Sequence, residues 1–265
     1  KTTENYIEIN KHSWNNRTET HLNSEFYNMK DFLNGTTSLN EIELDLLGNI
    51  EGKSILHLQC HFGQDSISLS RLGATVTGID LSDKAIENAR KILTETKSNT
   101  KFICCDIYDL EQHLDKKFDI VFSSYGTIGW LPDLDKWADI INHFLKPIGK
   151  FIFVEFHPVV WMFDDKFEKI AYHYFNVEPI NEIENGTYAD KNAKITQSFV
   201  TWNHDFSEVM NSLLQQNLEI VHFKEYNYSP YNIFEDAVEI SSKKFQVKNL
   251  VNKLPLVYSI IANKK

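Results

Sequence analysis

Short apolar runs alternate with amphipathic segments along the chain from residue 54 onward. This alternation is typical of repeated strand–helix–strand units, in which the strands form a mainly parallel sheet. The pattern therefore predicts an α/β fold. Five strands are predicted in its first part, at residues 54–58, 75–80, 101–105, 118–124 and 150–156.

Helices are predicted between these strands. The clearest begins after Ser82, because a serine hydroxyl can accept a hydrogen bond from a backbone N–H of the first helical turn. A second helix follows Pro132, where apolar residues recur at three- and four-residue steps. A third helix, over 205–216, precedes strands at 218–226 and 256–262. If these two strands pair antiparallel at one edge, the sheet is Rossmann-like, with seven mostly parallel strands and helices on both faces.

Composition and charge exclude several classes of function. The chain has 27 Lys and Arg residues against 37 Asp and Glu residues, whereas nucleic-acid binding needs clustered basic side chains. The apolar runs are too short to cross a bilayer. The cysteines, Cys60, Cys104 and Cys105, lack the spacing of a disulfide framework or a metal site. With a start that lacks signal-peptide features, these observations predict a cytoplasmic monomer or homodimer that acts on a small molecule, without nucleic acid, membrane or metal.

The loop after the first strand is the expected place for a ligand, because open parallel sheets bind ligands beyond the carboxyl ends of their strands. It reads Leu-Gln-Cys-His-Phe-Gly over residues 58–63. A dinucleotide-binding fold places G-x-G-x-x-G here, since only glycine lets the backbone approach a pyrophosphate. The side chains of Gln59 and His61 therefore disfavour a dinucleotide and favour a ligand without phosphate. Alternatively, they are only polar residues at a strand end.

Two acidic residues follow the next two strands. Asp80 ends the second strand, where a carboxylate can accept hydrogen bonds from both hydroxyls of a ribose. Asp106 follows the third strand and can accept from an adenine amino group, while the adjacent Ile107 can pack on the ring. Each residue alone is also a common turn or cap residue, but together they describe a nucleoside pocket.

The ordered motifs at 55–63, 78–82, 105–107 and 118–121 resemble those of class I S-adenosylmethionine (SAM)-dependent methyltransferases. More narrowly, His-Leu-Gln-Cys-His-Phe-Gly, Trp-Leu-Pro-Asp-Leu after residue 129 and Glu-Phe-His-Pro after residue 154 resemble a subgroup that is mostly bacterial and mostly of unknown substrate. The resemblance implies methyl transfer from SAM to an oxygen or nitrogen of a small molecule, with S-adenosylhomocysteine (SAH) as the second product.

The same resemblance implies roles for individual residues in holding SAM. The family usually has an acid at His57 and glycines at Gln59 and His61, so the contacts to the methionine part of SAM are those this chain changes. We expect Trp14 to close over the cofactor from the N-terminal segment, or else to pack as an ordinary outer-helix residue. The complete set of expected SAM-binding residues is Trp14, His57, Gln59, His61, Gly63, Asp80, Leu81, Asp106, Ile107 and Ser123.

Few catalytic side chains are required, because SAM already carries a sulfonium leaving group and the protein mainly aligns the acceptor. A base is needed only for an acceptor that is protonated at neutral pH. The candidates follow the fourth and fifth strands: Tyr125, Glu155 and His157. The alternatives are that His157 makes a structural hydrogen bond, Glu155 pairs with Lys150 and Tyr125 only shapes the pocket.

We expect a single domain over residues 1–265, and the segment 158–203 interrupts its strand and helix alternation. This segment is rich in aromatic residues, and Asn185-Gly186 within it predicts a β-hairpin. It is expected to be either a lid over the acceptor or a dimer surface. The expected divisions are an N-terminal helical cap (1–48), a SAM-binding core (49–157), the insertion (158–203) and the end of the core sheet (204–265).

Two other functions fit parts of this pattern. A nicotinamide-dependent oxidoreductase has the same order of strand, loop and acid, although the missing glycines count against it. A SAM-binding protein without methyl transfer is suggested by His57, Gln59 and His61, which replace the usual residues of the family.

Overall fold

The structure is a computed structural model that describes residues 5–265. Its α-helices are α1 (Tyr6–Asn23), α2 (Met29–Leu33), α3 (Glu41–Leu47), α4 (Gln64–Arg71), α5 (Asp83–Thr96), α6 (Leu134–Phe144) and α7 (Phe206–Gln215). Its strands are β1 (Ser54–His57), β2 (Thr75–Asp80), β3 (Thr100–Cys104), β4 (Phe118–Ser124), β5 (Leu145–Phe156), β6 (Ile180–Asn185), β7 (Thr196–Thr201), β8 (Leu218–Tyr226), β9 (Ala237–Ser241), β10 (Lys244–Val247) and β11 (Val257–Lys264).

The central sheet has seven strands in the order β3-β2-β1-β4-β5-β11-β8. The first five run parallel, and β11 lies antiparallel between β5 and β8. The predicted Rossmann-like, mostly parallel sheet is therefore confirmed, including the antiparallel pair at one edge. Because β1 to β4 are parallel, their carboxyl ends lie along the same edge of the sheet, and the loops that follow them meet there.

Helices cover both faces of this sheet, as predicted. Along β4, Val121 belongs to the apolar core on the side of α6 and α7, whereas Ile120 and Phe122 belong to the core on the opposite side. Side chains of a strand alternate between faces, so each parallel strand carries apolar residues for two cores. On the α6 side, Trp137 is fully buried against Phe151 and Phe153 of β5.

The predicted insertion contains the hairpin β6–β7, but Asn185-Gly186 does not form a two-residue turn. Residues 186–195 connect the two strands, and Gly186 has φ +76° at the end of β6. A Cβ atom at Gly186 would lie 2.6 Å from the carbonyl oxygen of Lys191, so glycine is needed for the folded-back connection rather than for a tight turn.

Three other elements differ from the prediction. The expected N-terminal helical cap consists of three separate helices, and a second hairpin, β9–β10, which the sequence did not predict, precedes the last strand. Strand β5 begins at Leu145, five residues before the predicted start, and its pairing with β4 is irregular between Phe118 and Ile120. The exposed Ile148 lies in that irregular part with φ +58°. Over residues 5–265, no helix combines the length and the apolar character needed to cross a membrane.

Candidate active site

A cavity of about 1180 Å³ lies beyond the carboxyl ends of β1, β2 and β4. The loop after β1 forms its floor, and α1 and the hairpin β6–β7 form its roof. The roof is held together by polar contacts. The Asn10 side chain exchanges two 2.8 Å hydrogen bonds with the backbone of Val200, and Arg17 forms a 2.9 Å ion pair with Glu184.

The loop after β1 alternates between ordinary and left-handed backbone conformations. Gln59, His61 and Gly63 have φ values of +52°, +51° and +80°. Residues with side chains rarely adopt this conformation, which costs roughly 1–2 kcal/mol for each residue. Gln59 and His61 thus keep a backbone shape that glycine favours. At Gly63 a side chain is excluded, because an added Cβ would lie 2.6 Å from Cε1 of Phe102.

The Asp80 carboxylate lies at the cavity wall with both oxygens engaged by backbone N–H groups. Oδ2 accepts a 2.8 Å bond from His61 N, and Oδ1 accepts a 2.8 Å bond from Ser82 N. Burial raises the pKa of Asp80 to about 6, and these hydrogen bonds oppose the shift. Because each carboxylate oxygen can accept two hydrogen bonds, both oxygens retain capacity for a ligand hydroxyl.

Asp106 and Ile107 follow β3 and line the same cavity, together with Leu81. Asp106 caps a short 3-10 turn, where its Oδ1 accepts a 3.0 Å bond from Tyr108 N. The Tyr108 hydroxyl is fixed by a 2.8 Å bond to the carbonyl oxygen of Asp133. The structure thus brings the two acids and the apolar wall of the expected nucleoside pocket together.

His57 is almost completely buried beneath the loop, and its Nδ1 lies 2.7 Å from the Ser66 hydroxyl. Burial lowers the pKa of His57 to about 3, so the ring is neutral. Gln59 extends toward the loop after β4, where its amide nitrogen donates a 2.9 Å bond to the carbonyl oxygen of Thr127. Both residues line the cavity.

The roof contributes Trp14 and the buried His21, which meets His61 of the loop. The Trp14 ring contacts the rings of His61 and Trp130, with centroid distances of 5.2 and 5.1 Å, so it bridges the loops after β1 and β4. Nδ1 of His21 lies 3.0 Å from Nε2 of His61. Burial, with Arg17 nearby, lowers the pKa of both histidines, that of His21 to about 3. The pair is therefore neutral.

Tyr125 lines the cavity and donates a 2.7 Å hydrogen bond to Oε2 of Glu43 in α3. Glu43 is fully excluded from solvent, and burial raises its pKa to about 7. Asn40 holds the other carboxylate oxygen through its backbone and side-chain N–H groups, both at 3.1 Å. Tyr125 also has a left-handed backbone, with φ +50°.

Glu155 lines the cavity, but its carboxylate is occupied by the backbone. It accepts hydrogen bonds from the N–H groups of Gly126, Thr127, Ile128 and Phe156. Burial raises its pKa, and these hydrogen bonds oppose the shift. The carboxylate holds the loop after β4 in shape, and it does not form the pair with Lys150 that the sequence left open.

The structure does not bring His157 or Ser123 to the cavity. Both ring nitrogens of His157 are engaged, because Nδ1 accepts a bond from Val159 N and Nε2 lies 2.8 Å from Oε1 of Glu225. Ser123 is fully buried and donates a 3.0 Å bond to the Thr127 hydroxyl. Its neighbour Ser124 lines the cavity instead.

Sequence reasoning missed His21 and Glu43, which lie behind the cavity lining, and placed Arg17 beside Trp14 without giving it a role of its own. Arg17 and His21 lie four residues apart on α1, a spacing that places them on one helical face. Glu43 follows Asn40 by three residues, the spacing of a capping box, which the structure forms at the start of α3. These spacings indicate helical position, but they do not indicate a cavity.

The residues present fit SAM. Asp80 offers paired acceptor oxygens for a ribose. Among the described residues, several of the buried polar atoms without a hydrogen-bond partner belong to residues that line the cavity, among them Arg17, Gln59, His61 and Tyr258. Such atoms are rare in native structures and indicate that a polar ligand completes the site.

Comparison with known proteins agrees with this geometry. Residues 55–149 match the family described as a methyltransferase domain. An uncharacterized protein of Haemophilus influenzae is 26% identical over 229 residues, which cover 80% of this chain and 87% of that protein. A ubiquinone biosynthesis O-methyltransferase of Coxiella burnetii is 30% identical over 104 residues, 39% of this chain, and the aligned part spans only 44% of that enzyme.

A solved structure of similar fold is the S-adenosylmethionine-dependent methyltransferase from Mesorhizobium loti. It matches with a TM-score of 0.58 at 19% identity, and the match covers 88% of this chain and all of that chain. At this level of identity the likeness concerns the fold. This fold is the one that the ordered motifs predict. The matched residues 55–149 include the loops after β1 and β4 that line the cavity.

Proposed function

We propose that this chain is a class I SAM-dependent methyltransferase that transfers the methyl group of SAM to an oxygen or nitrogen of a small molecule beside Tyr125. The hydrogen bond from Tyr125 to the buried Glu43 carries this proposal, because it connects a hydroxyl group at the cavity wall to a proton acceptor behind it. The small molecule that receives the methyl group is unidentified.

SAM would be held by the residues along the carboxyl ends of β1, β2 and β3. Asp80 would accept from the ribose hydroxyls, with Leu81 beside it, and Asp106 and Ile107 would hold the adenine. Trp14 would cover the cofactor, because its ring bridges the loops on either side. Bound SAM supplies an electrophilic methyl group on a sulfonium leaving group.

The remaining space supports a second bound molecule. Pockets for one ligand commonly measure about 300–1,000 Å³, and this cavity is larger. Beyond the cofactor loop its wall is aromatic, with Phe26 stacked on Tyr231 and the hydroxyl groups of Tyr27 and Tyr188 2.6 Å apart. Asp65 adds a carboxylate there, bonded at 2.6 Å by the Ser38 hydroxyl.

The charge of the cavity lining limits which molecules can serve as the methyl acceptor. Acidic side chains outnumber basic ones in the cavity lining, where the only Lys and Arg among the described residues are Arg17, Lys191 and Lys243. An anionic acceptor would be repelled by this lining. The arrangement therefore favours a neutral or cationic acceptor with an apolar part that packs on the aromatic wall.

Glu43 and Tyr125 would remove the proton that the acceptor loses. As the acceptor atom takes the methyl group, its proton passes to the Tyr125 oxygen, and the Tyr125 proton passes to Oε2 of Glu43. A base works best when its pKa lies near the operating pH, and the pKa of Glu43, about 7, meets this condition. The ring of His157 and the carboxylate of Glu155 are already hydrogen-bonded within the protein, which favours structural roles for both residues.

The hairpin β6–β7 supports the lid interpretation of the insertion more than the dimer interpretation. Its residue Glu184 is paired with Arg17 across the cavity roof, and Tyr188 reaches the aromatic wall through Tyr27. The oligomeric state, monomer or homodimer, remains a prediction. So does a cytoplasmic location, with which the three unpaired cysteines are compatible.

The test is methyl transfer itself. Purified protein is incubated with SAM and a panel of small amines, phenols and alcohols, and SAH is measured by mass spectrometry. Release of SAH with one class of acceptor, lost in Tyr125→Phe and Glu43→Gln, is the expected result. SAM binding without SAH release would favour a SAM-binding protein without methyl transfer. Binding of NADH but not SAM would favour an oxidoreductase.

A further inference from the structure

Four polar atoms around the cofactor loop are buried and have no hydrogen-bond partner. They are Nε of Arg17, Nε2 of His21, Oε1 of Gln59 and Nδ1 of His61. Each such atom costs about 1–3 kcal/mol when it stays unpaired. The two on Arg17 and Gln59 belong to side chains of the cavity lining and indicate ligand groups that pair with them.

These atoms belong to one continuous arrangement. Gln59 and His61 are two residues apart in the loop, and the Trp14 ring packs on His61. The Arg17 guanidinium lies 5.2 Å from the Trp14 ring and 5.4 Å from the Trp130 ring. The residue therefore faces the loop across the roof, and its positive charge contributes to the lowered pKa of His61.

The two outer members of this arrangement have opposite and fixed hydrogen-bonding characters. The Gln59 amide nitrogen is committed to the Thr127 carbonyl, which leaves Oε1 as an acceptor only. Arg17 is a donor only, and of its five N–H groups one is bonded to Ser13 and one to Glu184. An acceptor opposite a cationic donor matches an ammonium beside a carboxylate, the two charged groups of an amino acid.

We infer that Gln59 binds the α-ammonium group and Arg17 the α-carboxylate group of the methionine part of SAM. This inference rests on the proposed function. It explains why side chains occupy loop positions that otherwise hold glycine: Gln59 supplies a contact, and His61 orients the loop. The backbone N–H of His61 donates a hydrogen bond to Asp80, and the His61 ring is held against the ring of His21.

Calorimetry with three probes separates these roles. SAH carries both charged groups, decarboxylated SAM carries only the ammonium, and 5′-methylthioadenosine carries neither. Arg17→Gln should weaken SAH binding about 10- to 100-fold, as expected for a hydrogen bond to a charged group. It should change the binding of the other two probes by less than about threefold. Gln59→Met should weaken SAH and decarboxylated SAM alike and spare methylthioadenosine.

Lys11→Gln is the matched control, because it removes a cationic side chain of the same helix that pairs with Asp83 and lies outside the cavity lining. It should leave SAH binding within about threefold of wild type. Equal loss of all three probes in Arg17→Gln, or unchanged SAH binding, would overturn the inference. If Arg17→Gln does not fold, Gln59→Met and Arg17→Lys carry the test, and Arg17→Lys should keep part of the SAH affinity. Failure of the wild type to bind any probe would instead refute the proposed function.

Discussion

The hydroxyl group of Tyr125 and the carboxylate of Glu43 share a 2.7 Å hydrogen bond that joins the loop after β4 to α3. Both partners are held at a cost. Glu43 is buried without a counter-charge in contact, and Tyr125 has φ +50°, which bulky residues rarely adopt. Backbone strain of this kind clusters at functional sites. Here the left-handed backbone of Tyr125 accompanies a side chain that lines the cavity.

The first prediction concerns the pH dependence that Glu43 gives to stability. Its ordinary pKa of 4.5 is raised to about 7, so the folded state binds this proton more tightly than the unfolded state. Its favourable contribution is therefore complete below pH 4.5 and is lost as the pH rises through 7, by about 3 kcal/mol in total. In urea denaturation between pH 5 and 8, wild type should lose stability relative to Glu43→Gln as the pH rises.

Glu41→Gln is the control for this measurement, because Glu41 is an exposed acid in the first turn of the same helix. The stability difference between wild type and Glu41→Gln should vary much less over the same range. A difference between wild type and Glu43→Gln that does not change with pH would contradict the prediction.

The second prediction concerns Gly63 in the cofactor loop. Gly63→Ala places a Cβ 2.6 Å from Phe102 Cε1 and forces alanine to adopt φ +80°. Overpacking costs about 1–3 kcal/mol and the left-handed backbone about 1–2 kcal/mol more. The variant should therefore lose about 2–5 kcal/mol of unfolding free energy in urea denaturation, and SAH binding should weaken.

Gly52→Ala separates the two costs. Gly52 has φ +73°, but nothing lies within 4 Å of an added Cβ, so only the backbone cost applies. Gly52→Ala should therefore lose less unfolding free energy than Gly63→Ala. Adding Phe102→Leu to Gly63→Ala should recover part of the lost stability. Equal losses at Gly52 and Gly63 would mean that the contact with Phe102 is unimportant.

The third prediction concerns Asp80. Asp80→Ala removes the acceptor of two backbone N–H groups and of the ribose hydroxyls, so SAH affinity should fall by more than about 100-fold in calorimetry. Since burial raises the pKa of Asp80 to about 6, wild-type affinity should also fall between pH 7 and pH 5. The control is Asp83→Asn, a nearby exposed acid outside the cavity lining. Full SAH binding by Asp80→Ala would remove Asp80 from the cofactor site.

The parts of the site that follow parallel strands were predictable from the sequence. Apolar runs identify the strands, and parallel pairing then forces the residues after them to one edge of the sheet. Asp80, Asp106 and Gly63 meet at the cavity for this reason, without any knowledge of side-chain packing. The fold predicted from the order of these motifs is confirmed by the sheet topology and by a solved methyltransferase of similar fold, and residues 55–149 match a methyltransferase domain.

The roof was not predictable in the same way, because its buried face is polar. The residues of α1 that lose solvent are Asn10, Ser13, Arg17, Thr18 and His21, and an analysis based on apolar periodicity does not detect such a face. Glu43 and Tyr125 are 82 positions apart, so their contact depends on how α3 packs against the sheet. For His157, sequence reasoning pointed to the wrong place. This histidine follows a strand and met the sequence criteria for a base, but it lies outside the cavity lining.

The last prediction tests that placement. His157→Leu removes the partners of Val159 N and Glu225, so unfolding free energy should fall by about 1–3 kcal/mol, the cost of unpaired polar groups. Because His157 does not line the cavity, SAH affinity should stay within about twofold, and SAH release with any active acceptor should be nearly unchanged. Glu225→Gln, which keeps an acceptor oxygen near Nε2, should cost less stability. A folded His157→Leu protein that binds SAH but releases none from SAM would restore His157 as the base, since loss of a general base lowers turnover by about 10²- to 10⁴-fold.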